Sequence, residues 1–476
     1  MKKILLFICI IVNTLFLSYS ANGVPVDTSG VRKNAKWRQF FSLKESDTIR
    51  ELHKITTAQD YSPLPANKWG LSLSGFICND FFWDTRKMVD ARDGAICLYP
   101  DDINADVNGR DINAHPSFNF VVMNTRLTLR IQAPDALRAR VSGMIEGWFM
   151  GISNQDMNGF AMRHAFIKLD WKSTSLLLGQ TWHPMFTERC FPHTVAASAG
   201  APFQPFARSP QIRLNQRFAK YSGFLLYLNA QRDYLSTGRN GASAEYLRNS
   251  AIPETGLQYI FDYKKNKDEN SSHEVYAGIG INYKYLIPRL TTAGNEYTRN
   301  GLHSGSALAF LHYNHRISAE HKWGFKVKAT WSQACNEYLL PGGYAVKYYA
   351  DEPFNDSINY QYTALNNFSS WMDIYAGIRS WEIGLFAGYS KNFGSFDFLQ
   401  APGNGQAFFG RGLNIDHLYR ISARVKYNAN KLQFGLEPEY TAVRYGDDLT
   451  EKGKVMPEGS RLVHGIRILL SVTLFF

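Results

Sequence analysis

A short stretch of the chain, HPMFTERCFPH, concentrates side chains of the types that bind metal ions. Its candidate ligands are His183, Glu188, Cys190 and His193. Imidazole, carboxylate and thiolate groups hold zinc in proteins, so these residues raise the question of a metal-dependent active site. Structural zinc sites usually pair their ligands at short, regular spacings, whereas the spacing here is irregular. The sequence therefore predicts no metal site and no cofactor, and the role of the stretch depends on the elements that hold it.

The first residues of the chain are typical of a secretory signal peptide. Two lysines precede an apolar run at residues 4–17, and small residues follow before Ala21. The apolar run is short for a membrane-spanning helix and is interrupted at Asn13. We therefore predict that residues 1–20 are cleaved and that the mature protein is exported.

The charge and the cysteines exclude two further classes. The formal net charge is +11, but the basic residues are not gathered in one patch, so no nucleic-acid partner is predicted. The cysteines after the signal peptide are Cys78, Cys97, Cys190 and Cys335. Four cysteines without paired spacing are too few for a disulfide scaffold. One bond, between Cys78 and Cys97, stays open at this point.

Residues 21–66 are polar and form a predicted N-terminal periplasmic segment. Within them, TIRELHKI carries a capping box of Thr48 and Glu51 and apolar residues at near-helical spacing. One short helix is predicted there. Its role, as a contact with a partner, a contact with a lumen or an ordinary solvated helix, is left open.

From about Trp69 to the C-terminus, apolar and polar residues alternate with a period of two. About sixteen such segments have roughly the ten-residue length that a tilted strand needs to cross a bilayer. Short breaks, such as WKSTS and NANK, alternate with long insertions. We therefore predict an all-β fold over residues 67–476, a transmembrane antiparallel up-and-down barrel of about 16 strands in the outer membrane.

Aromatic residues recur near the predicted strand ends, where the boundary between lipid and water favours them. The predicted belt consists of Phe82, Trp83, Trp148, Trp171, Trp182, Trp323, Trp331, Trp371, Trp381 and Tyr427. The final strand ends at Phe476, a terminal aromatic residue that resembles the assembly signature of Gram-negative outer-membrane barrels.

The alternation also predicts which side chains face the lumen. In RARVSGMIEGWF, Arg138, Arg140 and Glu146 share one face, and a charge facing lipid costs about 2–4 kcal/mol near the midplane. The charged face is therefore predicted to be the inner one. The predicted pore-lining residues are Arg126, Arg130, Arg138, Arg140, Glu146, Arg163, Arg213, Arg217, Lys326, Lys328 and Arg424. The main predicted inward acids are Glu146, Asp373, Glu382, Glu437 and Glu439. A net basic lumen that favours anions is therefore expected.

Two blocks of the sequence resemble a known family, the DcaP-like porins of Gram-negative bacteria. They are RHAFIKLDWKSTSLLLGQTWHPMF at residues 163–186 and GAPFQPFARSPQIRL at residues 200–214. The resemblance implies a trimeric, passive channel for small, often anionic solutes, with a third external loop folded into the lumen as a constriction. The N-terminal segment departs from some relatives because it lacks the long heptad run of a coiled coil.

The resemblance places the opening stretch in that third loop and gives it a different role. The predicted constriction residues are His183, Glu188, Arg189, His193 and Arg208. The predicted function is passive diffusion of small hydrophilic, anionic solutes, and the predicted partners are a homotrimer, outer-membrane lipid and lipopolysaccharide. The alternatives are a substrate-specific channel, for dicarboxylates or sugars, and a structural or adhesive barrel. No enzyme is predicted, because no spacing pairs a serine such as Ser222 with a histidine such as His164.

Overall fold

The chain forms a closed barrel of sixteen antiparallel strands in the computed structural model, which describes residues 69–268 and 270–476. Each strand pairs with the next along the chain, and the last pairs with the first. The predicted all-β barrel of about 16 strands is confirmed. The predicted signal peptide and N-terminal segment lie outside the described residues.

The barrel strands are numbered here in chain order. They are β1 (Gly70–Asp84), β2 (Arg126–Ala136), β3 (Ala139–Trp148), β4 (Ala161–Asp170), β5 (Thr174–Trp182), β6 (Arg208–Arg217), β7 (Ser222–Asn229), β8 (Glu254–Asn266), β9 (Ser272–Leu286), β10 (Leu302–Arg316), β11 (His321–Gln333), β12 (Tyr362–Ile378), β13 (Trp381–Ser395), β14 (Ile415–Ala429), β15 (Leu432–Tyr445) and β16 (Arg461–Phe475).

The connections contain short elements of their own. The short strands are Met88–Ala91, Ile96–Pro100, Ser117–Val121, Thr237–Gly238, Gly241–Ala242, Gly342–Val346 and Phe408–Arg411. The helical turns are Asn154–Asp156, Pro184–Phe186, Glu245–Arg248 and Asn336–Tyr338. None of these turns, and no other helix in the described part of the chain, is long and apolar enough to cross a membrane.

The seam of the barrel joins β1 to β16. Their register runs from Phe76 opposite Phe475 to Asp84 opposite Arg467. Phe476 continues the seam, because it exchanges two backbone hydrogen bonds of 3.1 Å with Gly75. The C-terminal aromatic residue is thus part of the wall.

The outer face is apolar and the inner face is polar, as β15 illustrates. Leu432, Phe434 and Leu436 point outwards and are about 40% exposed, whereas Glu437 and Glu439 are buried on the inside. Successive side chains of a strand point to opposite faces, so the two-residue period of the sequence separates the two environments. Lipid offers no hydrogen bonds, and the polar set therefore belongs inside.

The connections alternate in length, as the sequence predicts. At one end of the barrel, the short-turn end, strands are joined by two to five residues. At the other, the long-loop end, eight connections span 12 to 41 residues. Leu137 and Arg138 form the turn between β2 and β3 with positive φ angles of 55° and 60°, the geometry of a two-residue hairpin. Arg138 therefore lies in a turn and not on the inner face of a strand.

Two details of the sequence reading differ from the structure. The alternating segment FVVMNTRLTLRI, residues 120–131, does not form one continuous strand, because a turn closed by a hydrogen bond from Thr125 N–H to the Val122 carbonyl (3.1 Å) precedes β2. The aromatic belt is only partly correct. Trp83 and Trp381 are exposed on the outside, whereas Trp148 and Trp371 are 2% exposed and join the interior core.

That core is the largest cluster of buried apolar side chains, and much of it comes from long loops. Its loop members include Leu98, Phe186, Phe203 and Tyr338, which pack with wall residues such as Trp371. The free thiols of Cys190 and Cys335 belong to it. Cys78 and Cys97 are also free, so the open question of a bond between them is answered in the negative.

Candidate functional site

The third long loop, residues 183–207, is called loop 3 here and contains the opening stretch of the sequence. It leaves β5 in a tight turn, in which the His183 imidazole Nδ1 accepts a hydrogen bond from Met185 N–H at 3.1 Å. Gln204 donates to the Phe186 carbonyl at 2.7 Å and ties the two ends of the loop together. Proline at the first position of the turn fixes the backbone angle that the turn needs.

Three lysines of the barrel wall bind the loop backbone. Lys328 Nζ donates to the Phe186 carbonyl at 2.9 Å and also to the Met185 carbonyl. Lys326 Nζ donates to the Phe191 carbonyl at 2.9 Å, and Lys426 Nζ to the His193 carbonyl at 2.7 Å. Lys326 and Lys328 are almost fully buried. A buried ammonium requires hydrogen-bond acceptors, and here loop carbonyls supply them.

Two wall carboxylates bind the loop's N–H groups. Asp373 accepts from His193 N–H at 3.0 Å, and Glu437 accepts from Ala196 N–H at 3.0 Å. Asp373 also forms a two-point pair with Arg424, at 2.5 and 3.2 Å. We call Lys326, Lys328, Asp373, Arg424, Lys426 and Glu437 the anchoring wall. These residues of β11, β12, β14 and β15 hold loop 3 through its donors and acceptors alike.

His193 belongs to this anchor. Its Nε2 lies 2.6 Å from Lys326 Nζ, which makes the ring an acceptor. Burial, followed by the positive charges of Lys326 and Arg424, places the pKa of His193 well below its ordinary value. The ring is therefore neutral near physiological pH.

The four metal-ligand types of the opening stretch contact different partners. His183 Nε2 lies 3.2 Å from Glu254, and Glu188 lies 3.5 Å from Arg213 Nη1. Cys190 donates to the carbonyls of Leu311 and Val327, and burial raises its pKa to about 11. No group of three or more metal-binding side chains occurs within residues 69–268 and 270–476.

Arginines and tryptophans cluster where loop 3 meets β3 and β4. The guanidinium groups of Arg163 and Arg208 lie over the Trp148 ring, with their Cζ atoms 4.2 and 4.3 Å from its centroid. Arg163 Nε donates to Glu146 at 2.8 Å, and Arg126 Nε lies 3.5 Å from the same carboxylate. Arg126 and Arg163 therefore share the single carboxylate of Glu146.

A register shift lets β4 bury two neighbouring polar residues in this cluster. The pairing with β3 slips between Glu146 and Gly147, and Arg163 and His164 are both buried. A bulge of this kind interrupts strict alternation. Arg208, predicted in the loop, is the first residue of β6, where it pairs with Asp233 at 2.7 Å.

The other predicted pore-lining arginines lie nearer the short-turn end. Arg130 Nη1 donates to Ser74 Oγ at 2.7 Å, and Arg217 Nη2 donates to the Lys172 carbonyl at 3.1 Å. Arg140 is exposed, next to the turn that contains Arg138. The assignment of these residues to a solute path stays a prediction.

A cavity of about 430 Å³ lies between loop 3 and the inner faces of β4 to β9. Five cations and three acids line it: Lys168, Arg189, Arg213, Arg217, Lys220, Asp170, Glu188 and Asp262. We call the residues of β4 to β9 that line it the cavity wall. The cavity reaches the short-turn end, where Ser173 and Lys220 are exposed. Loop 3 contributes Arg189, which pairs with Asp262.

The sequence reasoning missed several of these groups. Asp262 has the inward parity of β8 and could have been found from alternation alone. Lys426 has the inward parity of β14, but nothing in a sequence shows which backbone carbonyls a lysine will meet. The sequence likewise does not show that the loop residues Glu337 and Tyr338 contact Lys284 and Glu254 of the barrel wall.

No family model and no curated protein matches the sequence. Among solved structures, the outer membrane channel DcaP of Acinetobacter baumannii aligns with a TM-score of 0.57 and 14% identity, over 86% of this chain and 100% of that one. The anion-selective porin from Comamonas acidovorans aligns with a TM-score of 0.45 and 10% identity, over 86% and 100%. OmpT of Vibrio cholerae has a TM-score of 0.45 and 8% identity, over 87% and 99%.

The likeness to DcaP decides the fold. This chain has the barrel fold of an outer-membrane porin. The resemblance read from residues 163–186 and 200–214 is thereby confirmed at the level of the fold. At 14% identity the likeness does not extend to the solute.

Proposed function

We propose that this chain is an outer-membrane porin through which small hydrophilic, anionic solutes diffuse passively. The observation that carries the proposal is the closed barrel with an apolar outside and a polar inside. Such a barrel is stable in lipid, whereas in water its apolar outer face would be exposed to solvent. In this proposal residues 1–20 are a cleaved signal peptide, and the mature protein meets outer-membrane lipid and lipopolysaccharide.

We also propose that loop 3 constricts the lumen. Its backbone binds side chains of the anchoring wall, while its residues Glu188 and Arg189 border the cavity on the opposite side. A segment with contacts on both sides narrows the space between them. In this proposal Glu188 and Arg189 meet the solute, whereas His193 acts as part of the anchor.

The proposed preference for anions rests on the cavity charges. Five cations face three acids there, so the cavity has an excess of two positive charges. Lumen walls of one sign raise the local concentration of the opposite ion, and salt screens the effect. The predicted homotrimer is proposed from the resemblance to the DcaP-like porins, and the large apolar outer face leaves room for it.

A substrate-specific channel is the second candidate, and the bounded volume of the cavity favours it. A cavity of about 430 Å³ is of the size that encloses one small molecule. Saturation of the flux with solute concentration distinguishes this candidate from unselective diffusion, for which flux rises linearly.

Planar-bilayer recording with a salt gradient tests the proposal. We expect discrete conductance steps and a reversal potential on the anion-selective side, reduced at high salt. A folded protein that produces no steps, or steps that favour cations, would contradict it.

A further inference from the structure

One short turn, Asn336–Tyr338 in the loop of residues 334–361, lies next to the long-loop side of the cavity. Tyr338 is 0% exposed, and its hydroxyl donates to Glu254 at 2.5 Å. Asn282 Nδ2 donates to the same carboxylate at 2.6 Å, and His183 Nε2 lies 3.2 Å from it. This buried network lies next to the cavity, of which His183 is a lining residue.

The neighbouring residue, Glu337, forms a buried ion pair with Lys284 of β9. Both side chains are 2% exposed or less, and Lys284 also donates to the Ala334 carbonyl at 2.8 Å. Burial of both charges makes the pair depend on its geometry, since removal of either partner leaves the other without compensation.

The same turn joins two other long loops. Asn336 Nδ2 donates to the Leu235 carbonyl, in the loop of residues 230–253, at 3.1 Å. The Tyr338 carbonyl accepts from Phe206 N–H of loop 3 at 2.9 Å. Three loops and the barrel wall therefore meet at three consecutive residues.

The inner wall around this junction leaves little room for a solute. Towards the long-loop end, the inward side chains of β7 to β9 are buried, among them Tyr227, Gln258 and Asn282. Further along the wall, Ser332 of β11 and Asp373 of β12 are 0% exposed. In this conformation the exposed residues of the cavity lie at the short-turn end, and the inward residues towards the long-loop end are buried.

We infer that the structure is the closed state of the channel and that the Asn336–Tyr338 turn is the latch whose release opens the long-loop end. The inference rests on the proposed channel function and adds its regulation. Release of the latch opens a path from the cavity past Tyr338 to the outside. Loop 3 stays in place during opening.

Fewer charged groups hold the latch than hold loop 3. Loop 3 is bound by three wall lysines and two wall carboxylates, whereas the latch depends on one ion pair and a few hydrogen bonds. Two non-glycine residues that flank it, Ala334 and Leu339, have φ angles of 44° and 60°. Such backbone conformations are strained, and release of the turn relieves that strain.

Single-channel recording of the full-length protein and of the Glu337→Gln variant tests this inference. The substitution keeps the side-chain shape but removes the charge that pairs with Lys284 only in the closed state. We expect brief openings in the wild type and an open fraction about tenfold larger in the variant, which corresponds to ~1.4 kcal/mol. The matched control is Glu320→Gln, which removes an exposed ion pair with Arg379 at the short-turn end and should behave as the wild type.

A second variant keeps the test valid if Glu337→Gln does not fold, as judged by heat-modifiable migration on gels. Tyr338→Phe retains the ring and the Lys284 pair but loses the hydrogen bond to Glu254. Here we expect an increase of about threefold in the open fraction. Steady wild-type conductance that neither variant alters would overturn the latch and leave the channel intact. Silence of all folded proteins would instead overturn the proposed channel function.

Discussion

Asp373 on β12 and Asp262 on β8 each pair with an arginine next to loop 3, yet their surroundings differ. Asp373 is 0% exposed and holds both Arg424 and the backbone of His193. The Asp262 side chain is 48% exposed and holds Arg189 at the edge of the cavity. The anchoring wall thus uses its charges to fix a loop, while the cavity wall leaves its charges next to open space.

The difference teaches that charge on the inner face of a barrel is not the same as charge offered to a solute. Lys326 and Lys328 have the parity of pore-lining residues, but their ammonium groups are taken by loop carbonyls. Arg213 and Arg217 have the same parity and border the cavity. Only the second pair is expected to influence permeating ions.

The largest expected difference between the two walls is in stability. Asp373→Ala leaves Arg424 buried without its main partner and should destabilise the barrel by about 3–5 kcal/mol. Asp262→Ala, the matched control, removes a half-exposed pair and should cost less than about 1 kcal/mol. Urea unfolding, followed by the loss of heat-modifiable migration, measures both. Equal losses of unfolding free energy in the two variants would contradict the proposed difference between the two walls.

The second-largest expected effect on stability comes from a disulfide between loop 3 and β15, a strand of the anchoring wall. A Cβ atom on Gly435 would lie 3.6 Å from the Val195 Cβ, within the range of a disulfide. The Val195→Cys/Gly435→Cys variant should therefore oxidise and gain about 2–4 kcal/mol of stability. Its conductance should be the same in oxidised and reduced form, because loop 3 stays anchored when the channel opens. Loss of current on oxidation, absent in Val195→Cys alone, would refute a fixed loop 3.

Ion selectivity should separate the walls more modestly. Arg213 and Arg217 line the cavity, so Arg213→Ala/Arg217→Ala should lower the anion-to-cation permeability ratio by about twofold. Lys328→Met removes a buried ammonium and should leave the ratio unchanged, although it weakens the anchor. Reversal potentials in a salt gradient report both ratios. A larger shift of the reversal potential for Lys328→Met than for the double arginine variant would contradict the proposed roles of the two walls.

The smallest effect is expected on acidification. His193 has a pKa well below its ordinary value because of burial and the nearby positive charges, so it stays uncharged as the pH falls from 7.5 to 5.5. The anion preference of the wild type should therefore follow the same pH profile as that of His193→Gln. A rise in anion preference at pH 5.5 in the wild type alone would show that His193 titrates.

The fold was largely predictable from the sequence, because alternation and the lengths of the connections both follow from the bilayer. The alternation of Leu432, Phe434 and Leu436 identifies the outer face of β15 without any information on the neighbouring strands. The site was less predictable. Arg163 follows a register slip, Lys328 meets a loop about 140 residues away in sequence, and Tyr338 meets Glu254, which lies 84 residues earlier in the chain. These contacts depend on loop conformation, which a two-residue period does not encode.

Water access to the two walls is the most direct test of their different roles. Ser175 belongs to the cavity wall. Ser332 is buried on the inner side of β11, the strand that carries Lys326 and Lys328 of the anchoring wall. Ser175→Cys and Ser332→Cys therefore form a matched pair. The four native cysteines of the barrel are buried, so the unsubstituted protein serves as the blank. With a charged, water-soluble thiol reagent on the folded protein, we predict rapid labelling of Ser175→Cys and none of Ser332→Cys before denaturation. Equal labelling of the two variants would contradict the account.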